Sequence, residues 1–156
     1  MTIQKGQAAP DFSLFNSEKN KVSLADYKGK NLVILFFPLA FTGVCTTELC
    51  SVRDNMNVYT SLNADVVGIS VDSLFSLGKF KEEQQLNFPL LSDFNKEVSQ
   101  AYGAFYDEFV LDMKGVSRRA AFVVDKDGVV QYAEVLESAG DLPNFEAIKE
   151  TLSGLN

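Results

Sequence analysis

Hydrophobic and polar residues follow two different periods along this chain, and the change of period predicts the order of its strands and helices. Leu32 to Phe37 is apolar at every position, which is typical of a central strand covered on both faces. Residues 64–71, rich in Val and Ile, predict a second strand. Between them, apolar residues recur at helical spacing: Leu49, Val52, Met56 and Tyr59. We therefore predict a strand, a helix and a strand in this order.

The remainder of the chain continues this alternation and then departs from it. Asp72 and Ser73 predict a helix start, and the helix is expected to run to about Gln85. A short extended piece at 88–91 and a helix over 95–102, ended by Gly103, complete an alternating order that is typical of a parallel sheet.

The two ends of the chain add further elements. Residues 120–124 and 129–135 flank a turn with Gly128 at its last position, which predicts an antiparallel hairpin. A leading hairpin from 11–15 and 21–23, a helical turn at 24–28 and a final helix over 144–152 are also expected. We predict a single α/β domain over residues 1–156, with a central mixed sheet flanked by helices.

Composition and charge exclude several classes of function. The chain has 156 residues, a formal net charge of −7 and no histidine. A Ser-His-Asp triad, a Cys-His dyad and a histidine-ligated metal are therefore excluded. The acidic balance argues against nucleic acid or an anionic membrane as partner. The N-terminus lacks the apolar core of a signal peptide, and no run is long enough to span a membrane, so we expect a soluble, cytoplasmic protein.

Cys45 is the candidate for chemistry. Pro38 closes the first strand, and Thr42 with Gly43 provides a turn from which a helix can start, so Cys45 should lie in the first helical turn. The dipole and the unpaired N–H groups at a helix start stabilise a thiolate, which is the reactive form of the side chain. Two cysteines without a secretory signal indicate redox or catalytic use.

The pattern Pro38-x3-Thr42-x2-Cys45 after an apolar strand resembles the active-site motif of the peroxiredoxins, the thiol peroxidases of the thioredoxin-like superfamily. The resemblance extends over nearly the whole chain, to residues 9–14, 22–29, 88–93 and 119–125. It implies a thioredoxin-like fold, a hydroperoxide substrate and recycling by a thiol reductant such as thioredoxin, glutaredoxin or a low-molecular-weight thiol. It also implies no cofactor and no metal, and it allows a homodimer.

The resemblance further implies a role for each motif residue. Cys45 would be the peroxidatic nucleophile and would become a sulfenic acid, the Thr42 hydroxyl and the Arg119 side chain would hold the peroxide, and Pro38 would shield the site from water. Arg119 matches the family's arginine because it lies three residues before Phe122, whereas Arg118 is one position out of register. On a strand these two arginines point to opposite faces, so only one can face Cys45.

Glu48, one turn after Cys45, has two interpretations. It could orient Arg119 through a charge-assisted pair, as similar glutamates do in some peroxiredoxins, or it could simply favour the helix start.

Cys50 decides the subtype, and the sequence leaves two possibilities. Cys45-x4-Cys50 resembles the Q-type, or bacterioferritin-comigratory, branch, where the second cysteine resolves the sulfenic acid into an intramolecular disulfide. The residues around Cys45 and Leu142 to Phe145 look closer to one-cysteine, E-type relatives. No cysteine follows Cys50, so we do not expect a C-terminal resolving cysteine. Ideal helix geometry places Cys50 on the side opposite Cys45, together with Thr47, Asp54 and Asn57.

Two other functions compete with a peroxidase. A thioredoxin-like disulfide reductase would need Cys-x-x-Cys at the junction of strand and helix, which this chain lacks. A redox-inert interaction domain would keep the fold with a silent Cys45, which the intact set of Thr42, Cys45 and Arg119 disfavours.

Overall fold

The computed structural model describes residues 3–155. Five α-helices are present in this range: α1 (Gly43–Asp54), α2 (Met56–Ser61), α3 (Leu74–Gln84), α4 (Glu97–Ala101) and α5 (Phe145–Gly154). Nine strands accompany them: β1 (Ser13–Phe15), β2 (Lys21–Ser23), β3 (Asn31–Phe36), β4 (Ala64–Ser70), β5 (Leu90–Ser92), β6 (Phe105–Tyr106), β7 (Val116–Ser117), β8 (Ala120–Val124) and β9 (Val130–Val135). Single 3₁₀ turns occupy Leu24–Tyr27 and Val110–Asp112.

A five-stranded mixed sheet in the order β5-β4-β3-β8-β9 forms the centre of the protein. β3 and β4 run parallel, as do β4 and β5, while β8 is antiparallel to both β3 and β9. In the β3–β8 ladder Phe36 lies opposite Ala120, so the C-terminal end of β3 meets the N-terminal end of β8. The segment that follows β3 therefore lies beside the residues that precede β8.

Buried side chains form one cluster on each face of this sheet. Leu35, with the inner faces of α1, α3 and α5, belongs to the first cluster. Ile34, with Phe122 and α4, belongs to the second. Alternate residues of β3 enter opposite clusters, which explains why this strand is apolar at every position.

The predicted fold class is confirmed, including the central mixed sheet, its flanking helices and the thioredoxin-like arrangement. The leading hairpin pairs antiparallel as expected, and Gly128 has the left-handed conformation (φ +82°) that its turn requires. The Ser73 side chain caps α3 by accepting from Ser76 N–H at 3.1 Å. Among the described helices, none combines the length and the apolar character that crossing a membrane would need.

Three details differ from the sequence-based expectation. The helical segment after β3 is divided at Asn55 into α1 and α2, so Met56 and Tyr59 do not continue the helix of Cys45. The helix predicted over 95–102 is shorter, because Lys96 adopts a left-handed conformation (φ +67°) and α4 begins after it. The antiparallel pair β6–β7 was not predicted, since strands of two residues have no detectable period.

Candidate active site

The start of α1 holds Cys45. Thr42 has extended backbone angles and is the N-cap, so the helix begins at Gly43 and Cys45 is its third residue. The first hydrogen bond of the helix runs from Thr46 N–H to the Thr42 carbonyl (2.9 Å). The amides before Thr46 therefore lie at the positive end of the helix dipole without an intrahelical acceptor. Cys45 is one of the residues whose amides lie there.

Arg119 lies immediately before β8 and reaches across to Cys45. Its Nη2 is 3.2 Å from Cys45 Sγ. Its Nε and Nη2 also donate to the Ala139 carbonyl at 3.2 and 2.9 Å, which fixes the plane of the guanidinium. Cys45 and Arg119 are each only 1% exposed. The charge-assisted contact between them is thus shielded from water.

Glu48 completes a buried triad with Arg119 and Cys45. Its Oε1 accepts from Arg119 Nη1 at 2.5 Å, and its side chain is fully buried. Burial raises the pKa of Glu48 to about 7, against the opposing effect of the Arg119 charge. Burial alone would lower the pKa of Arg119, but the charges of Glu48 and Cys45 raise it. Of the two interpretations of Glu48, the geometry matches the pairing that orients Arg119.

Arg118 precedes Arg119 in the segment between β7 and β8 and contacts a different group. Its guanidinium carbon lies 4.7 Å from the centre of the Tyr106 ring, a cation–π contact away from Cys45. Of the two neighbouring arginines, Arg119 therefore contacts the thiol and Arg118 does not.

The loop between β3 and α1 contributes Pro38 and Thr42. Pro38 is buried, whereas Thr42 is exposed. The Thr42 hydroxyl donates to the Leu39 carbonyl at 2.7 Å rather than to the helix. Since its single proton is used there, the hydroxyl oxygen is left as a hydrogen-bond acceptor.

Cys50 is half-buried and packs against the first cluster. Its thiol donates to the side-chain oxygen of Gln84 at the end of α3, at 3.4 Å. Both cysteines are free. By helix spacing Cys50 shares a side of α1 with Thr47 and Asp54, and it is less exposed than they are, because its thiol contacts Gln84 at the end of α3. Asn57, predicted on the same side, lies in α2 beyond the break at Asn55.

Sequence reasoning missed two supports of the site. The Ala139 carbonyl holds the Arg119 guanidinium, and a backbone acceptor has no signature in the side-chain pattern. The Gln84 amide contacts Cys50, and nothing in the spacing of residues 34 apart indicates that contact. The catalytic roles assigned to Cys45, Thr42, Arg119 and Pro38, and the resolving role of Cys50, stay predictions.

The sheet is thioredoxin-like, and a cysteine lies in the first turn of the helix that follows its central strand. A buried arginine contacts this cysteine. Together these features define the class of thiol peroxidases. Residues 5–133 match the model of the AhpC/TSA family. The chain belongs to this family, and it is a peroxiredoxin, an oxidoreductase of the thiol peroxidase type.

Individual proteins agree with this assignment. The chain is 39% identical over 146 residues to a 2-cysteine peroxiredoxin of Chattonella marina var. antiqua. The aligned region covers 86% of this chain and 72% of that protein. It matches the crystal structure of peroxidoxin BcpB from Mycobacterium tuberculosis with a TM-score of 0.87 and 28% identity over 99% of each chain. A peroxiredoxin-like protein from Aquifex aeolicus gives a TM-score of 0.88 and 26% identity, over 100% of this chain and 90% of that one.

Proposed function

We propose that this protein reduces hydrogen peroxide and organic hydroperoxides through Cys45, and that Cys50 resolves the resulting sulfenic acid as an intramolecular disulfide. The observation that supports the first step best is the 3.2 Å contact between Arg119 Nη2 and Cys45 Sγ at the start of α1. A guanidinium and a helix start together stabilise the thiolate that the reaction needs.

In the first step the Cys45 thiolate attacks one oxygen of the hydroperoxide. A sulfur–oxygen bond forms, the oxygen–oxygen bond breaks, and the leaving alkoxide or hydroxide takes a proton and departs as alcohol or water. Cys45 is oxidised to the sulfenic acid while the peroxide is reduced. The Arg119 guanidinium, held by Glu48 and by the Ala139 carbonyl, stabilises the negative charge that grows on the leaving oxygen.

Thr42 provides the complementary interaction. Its hydroxyl proton is directed at the Leu39 carbonyl, so its oxygen accepts a hydrogen bond from the O–H of the bound peroxide. Arg119 donates and Thr42 accepts, which orients the peroxide toward Cys45 Sγ. The buried Pro38 and the slight exposure of Cys45 keep water from competing for these groups.

In the second step the Cys50 thiol loses its proton and the thiolate attacks the Cys45 sulfur. A disulfide bond forms, the sulfur–oxygen bond of the sulfenic acid breaks, and the hydroxide takes up a proton and leaves as water. A thiol reductant, whether thioredoxin, glutaredoxin or a low-molecular-weight thiol, then reduces the disulfide. The alternative is a one-cysteine cycle, in which the external thiol attacks the sulfenic acid directly. The contact of Cys50 with Gln84 favours this alternative as long as α1 stays folded, because it directs the Cys50 thiol toward α3.

Mass spectrometry of the peroxide-treated protein under non-reducing conditions distinguishes the two cycles. We expect the parent to lose the mass of the two thiol hydrogens and the Cys50→Ser variant to gain oxygen on Cys45. Oxygen on Cys45 of the parent without a disulfide would establish the one-cysteine cycle. Absence of any change at Cys45, with the Cys45→Ser variant as the matched control, would refute the peroxidase proposal itself.

A further inference from the structure

The loop between β3 and α1 is tied to the end of the neighbouring strand by Asp72. Asp72 Oδ2 accepts from the Ala40 backbone N–H at 2.8 Å. The same oxygen accepts from the Ser70 hydroxyl at 2.6 Å, and the Ser92 hydroxyl donates to the Asp72 carbonyl at 2.6 Å. Groups at the ends of β4 and β5 thus orient the carboxylate that holds Ala40.

The backbone conformation of the residue after Ala40 shows why the hydrogen bond between Asp72 and Ala40 matters. Phe41 has φ +67°, a left-handed conformation that a bulky residue rarely adopts. Such a conformation persists only when surrounding contacts determine it. Here the contacts are the Asp72 hydrogen bond on one side and an edge contact between the Phe41 and Phe80 rings on the other, at 5.1 Å.

Thr42 follows Phe41, and its position depends on the same hydrogen bond. Its hydroxyl donates to the carbonyl of Leu39, the residue before Ala40, so both partners of this bond belong to the segment that Asp72 fixes. Thr42 is also the N-cap of α1, and α1 positions Cys45. A displaced Ala40 would shift the Thr42 oxygen relative to Arg119, whose guanidinium is held by Glu48 further along α1 and by the Ala139 carbonyl outside the loop and α1.

We infer that Asp72 is a positioning residue for peroxide reduction: by accepting the Ala40 N–H it sets the distance between the Thr42 hydroxyl and the Arg119 guanidinium. This inference rests on the proposed peroxidase function. Asp72 does not contact Cys45 or Arg119 through any hydrogen bond of the described residues, so its effect acts through the loop. Asp72 acts by placing an acceptor oxygen within hydrogen-bond distance of the Ala40 N–H, and its negative charge is not required.

The test compares two reactions of Cys45 in a Cys50→Ser background, where Cys45 is the only thiol. One is the second-order rate of oxidation by hydrogen peroxide, and the other is the rate of alkylation by iodoacetamide, which does not need Thr42 and Arg119 at a set spacing. We expect Asp72→Ala to slow oxidation by about tenfold or more, since a displacement of roughly 1 Å misaligns reacting groups. Alkylation should change by less than about twofold, because the contact between Cys45 and Arg119 involves neither Ala40 nor the Thr42 hydroxyl.

Asp72→Asn is the matched control, because its amide oxygen can accept from both Ala40 and Ser70. It should restore the oxidation rate. An Asp72→Ala variant that is oxidised as fast as its background overturns the inference, and so does an Asp72→Asn variant that is as slow as Asp72→Ala. If Asp72→Ala does not fold, Asp72→Glu takes its place: it keeps the charge but displaces the acceptor by one methylene, and an unchanged oxidation rate would refute the role. The Cys50→Ser protein with Asp72 intact tests the peroxidase proposal separately. If hydrogen peroxide does not oxidise Cys45 in that protein, the peroxidase proposal fails, whatever the Asp72 variants do.

Discussion

At the scale of single residues, the Arg119 guanidinium donates hydrogen bonds to two acidic side chains. Arg119 donates to Cys45 Sγ and to Glu48 Oε1, and its Nε and Nη2 also donate to the Ala139 carbonyl. The planar fork of donors makes this possible, since each edge of the group addresses a different partner. A lysine ammonium has no comparable geometry.

We therefore expect Arg119→Lys to lower the second-order rate of reaction with peroxide by at least about tenfold, equivalent to about 1.4 kcal/mol of transition-state stabilisation. Competition kinetics against a reporter peroxidase would measure the rate. Arg118→Lys is the matched control, because Arg118 stacks on Tyr106 and does not reach Cys45. A larger loss in the Arg118 variant would contradict the assignment.

Glu48 gives a prediction about pH. Its pKa is raised by burial to about 7, from an ordinary value of 4.5. The folded protein therefore binds the Glu48 proton more tightly than the unfolded chain does. The resulting stability is fully present below pH 4.5 and is lost as the pH rises through about 7.

Glu48→Gln mimics the protonated form at every pH. The free energy of unfolding of the parent should fall relative to that of Glu48→Gln by on the order of 2 kcal/mol between pH 5 and 8. Urea denaturation across this range would measure the difference. Glu146→Gln, at a side chain that is 83% exposed, should leave the pH profile of the parent unchanged. Parallel curves for the parent and Glu48→Gln would show that Glu48 is ionised throughout.

At the scale of elements, α1 has two differently anchored halves. Its first turns hold Cys45 beside the loop, whereas its second half is attached to the end of α3. Arg53 Nη1 donates to the Gln84 carbonyl at 2.5 Å, and the Asn87 side chain donates to the Arg53 carbonyl at 3.3 Å.

Five residues of ideal helix separate Cys45 and Cys50, so their Cα atoms lie about 9 Å apart, with roughly 140° of rotation between the side chains. A disulfide needs less than about 7 Å.

Disulfide formation therefore requires the first half of α1 to unwind. Hydrogen exchange of the oxidised parent should show lost amide protection between Thr46 and Arg53, with the amides of α3 unchanged because they keep their own intrahelical hydrogen bonds. Oxidised Cys50→Ser should keep its protection, since no disulfide forms. A disulfide that forms with full protection of α1 would contradict the helix geometry.

At the scale of the whole molecule, β3 joins the two buried clusters and places the active-site loop. Leu35 is fully buried in the first cluster, two residues before the loop begins. Leu35→Ala should lower the free energy of unfolding by about 2–5 kcal/mol, through lost burial and the cavity left behind. Leu111→Ala is the matched control, because Leu111 is 91% exposed, and it should change stability by less than about 0.5 kcal/mol. Urea denaturation of both variants measures the contrast, and similar losses would contradict the central role of β3.

The sequence by itself determined the order of the main elements and the place of Cys45 in a helix's first turn. Both follow from local patterns: the unbroken apolar run of β3, the helical spacing after it, and the Pro38, Thr42 and Gly43 signals between them. The break at Asn55 and the β6–β7 pair were missed, because a short strand or a local change of helix axis leaves the hydrophobic period unchanged.

Only the tertiary structure decided how the groups around the thiol are held. Arg119 is 74 residues from Cys45 in sequence, and its contact exists because β8 pairs antiparallel with β3 and brings the two segments to one end of the sheet. The turn of Arg119 toward Glu48, the Cys50–Gln84 contact and the Asp72–Ala40 bond likewise depend on how separate elements pack. Sequence periodicity reports which face of an element is buried, but the partner that a side chain meets there is set by sheet register and helix packing.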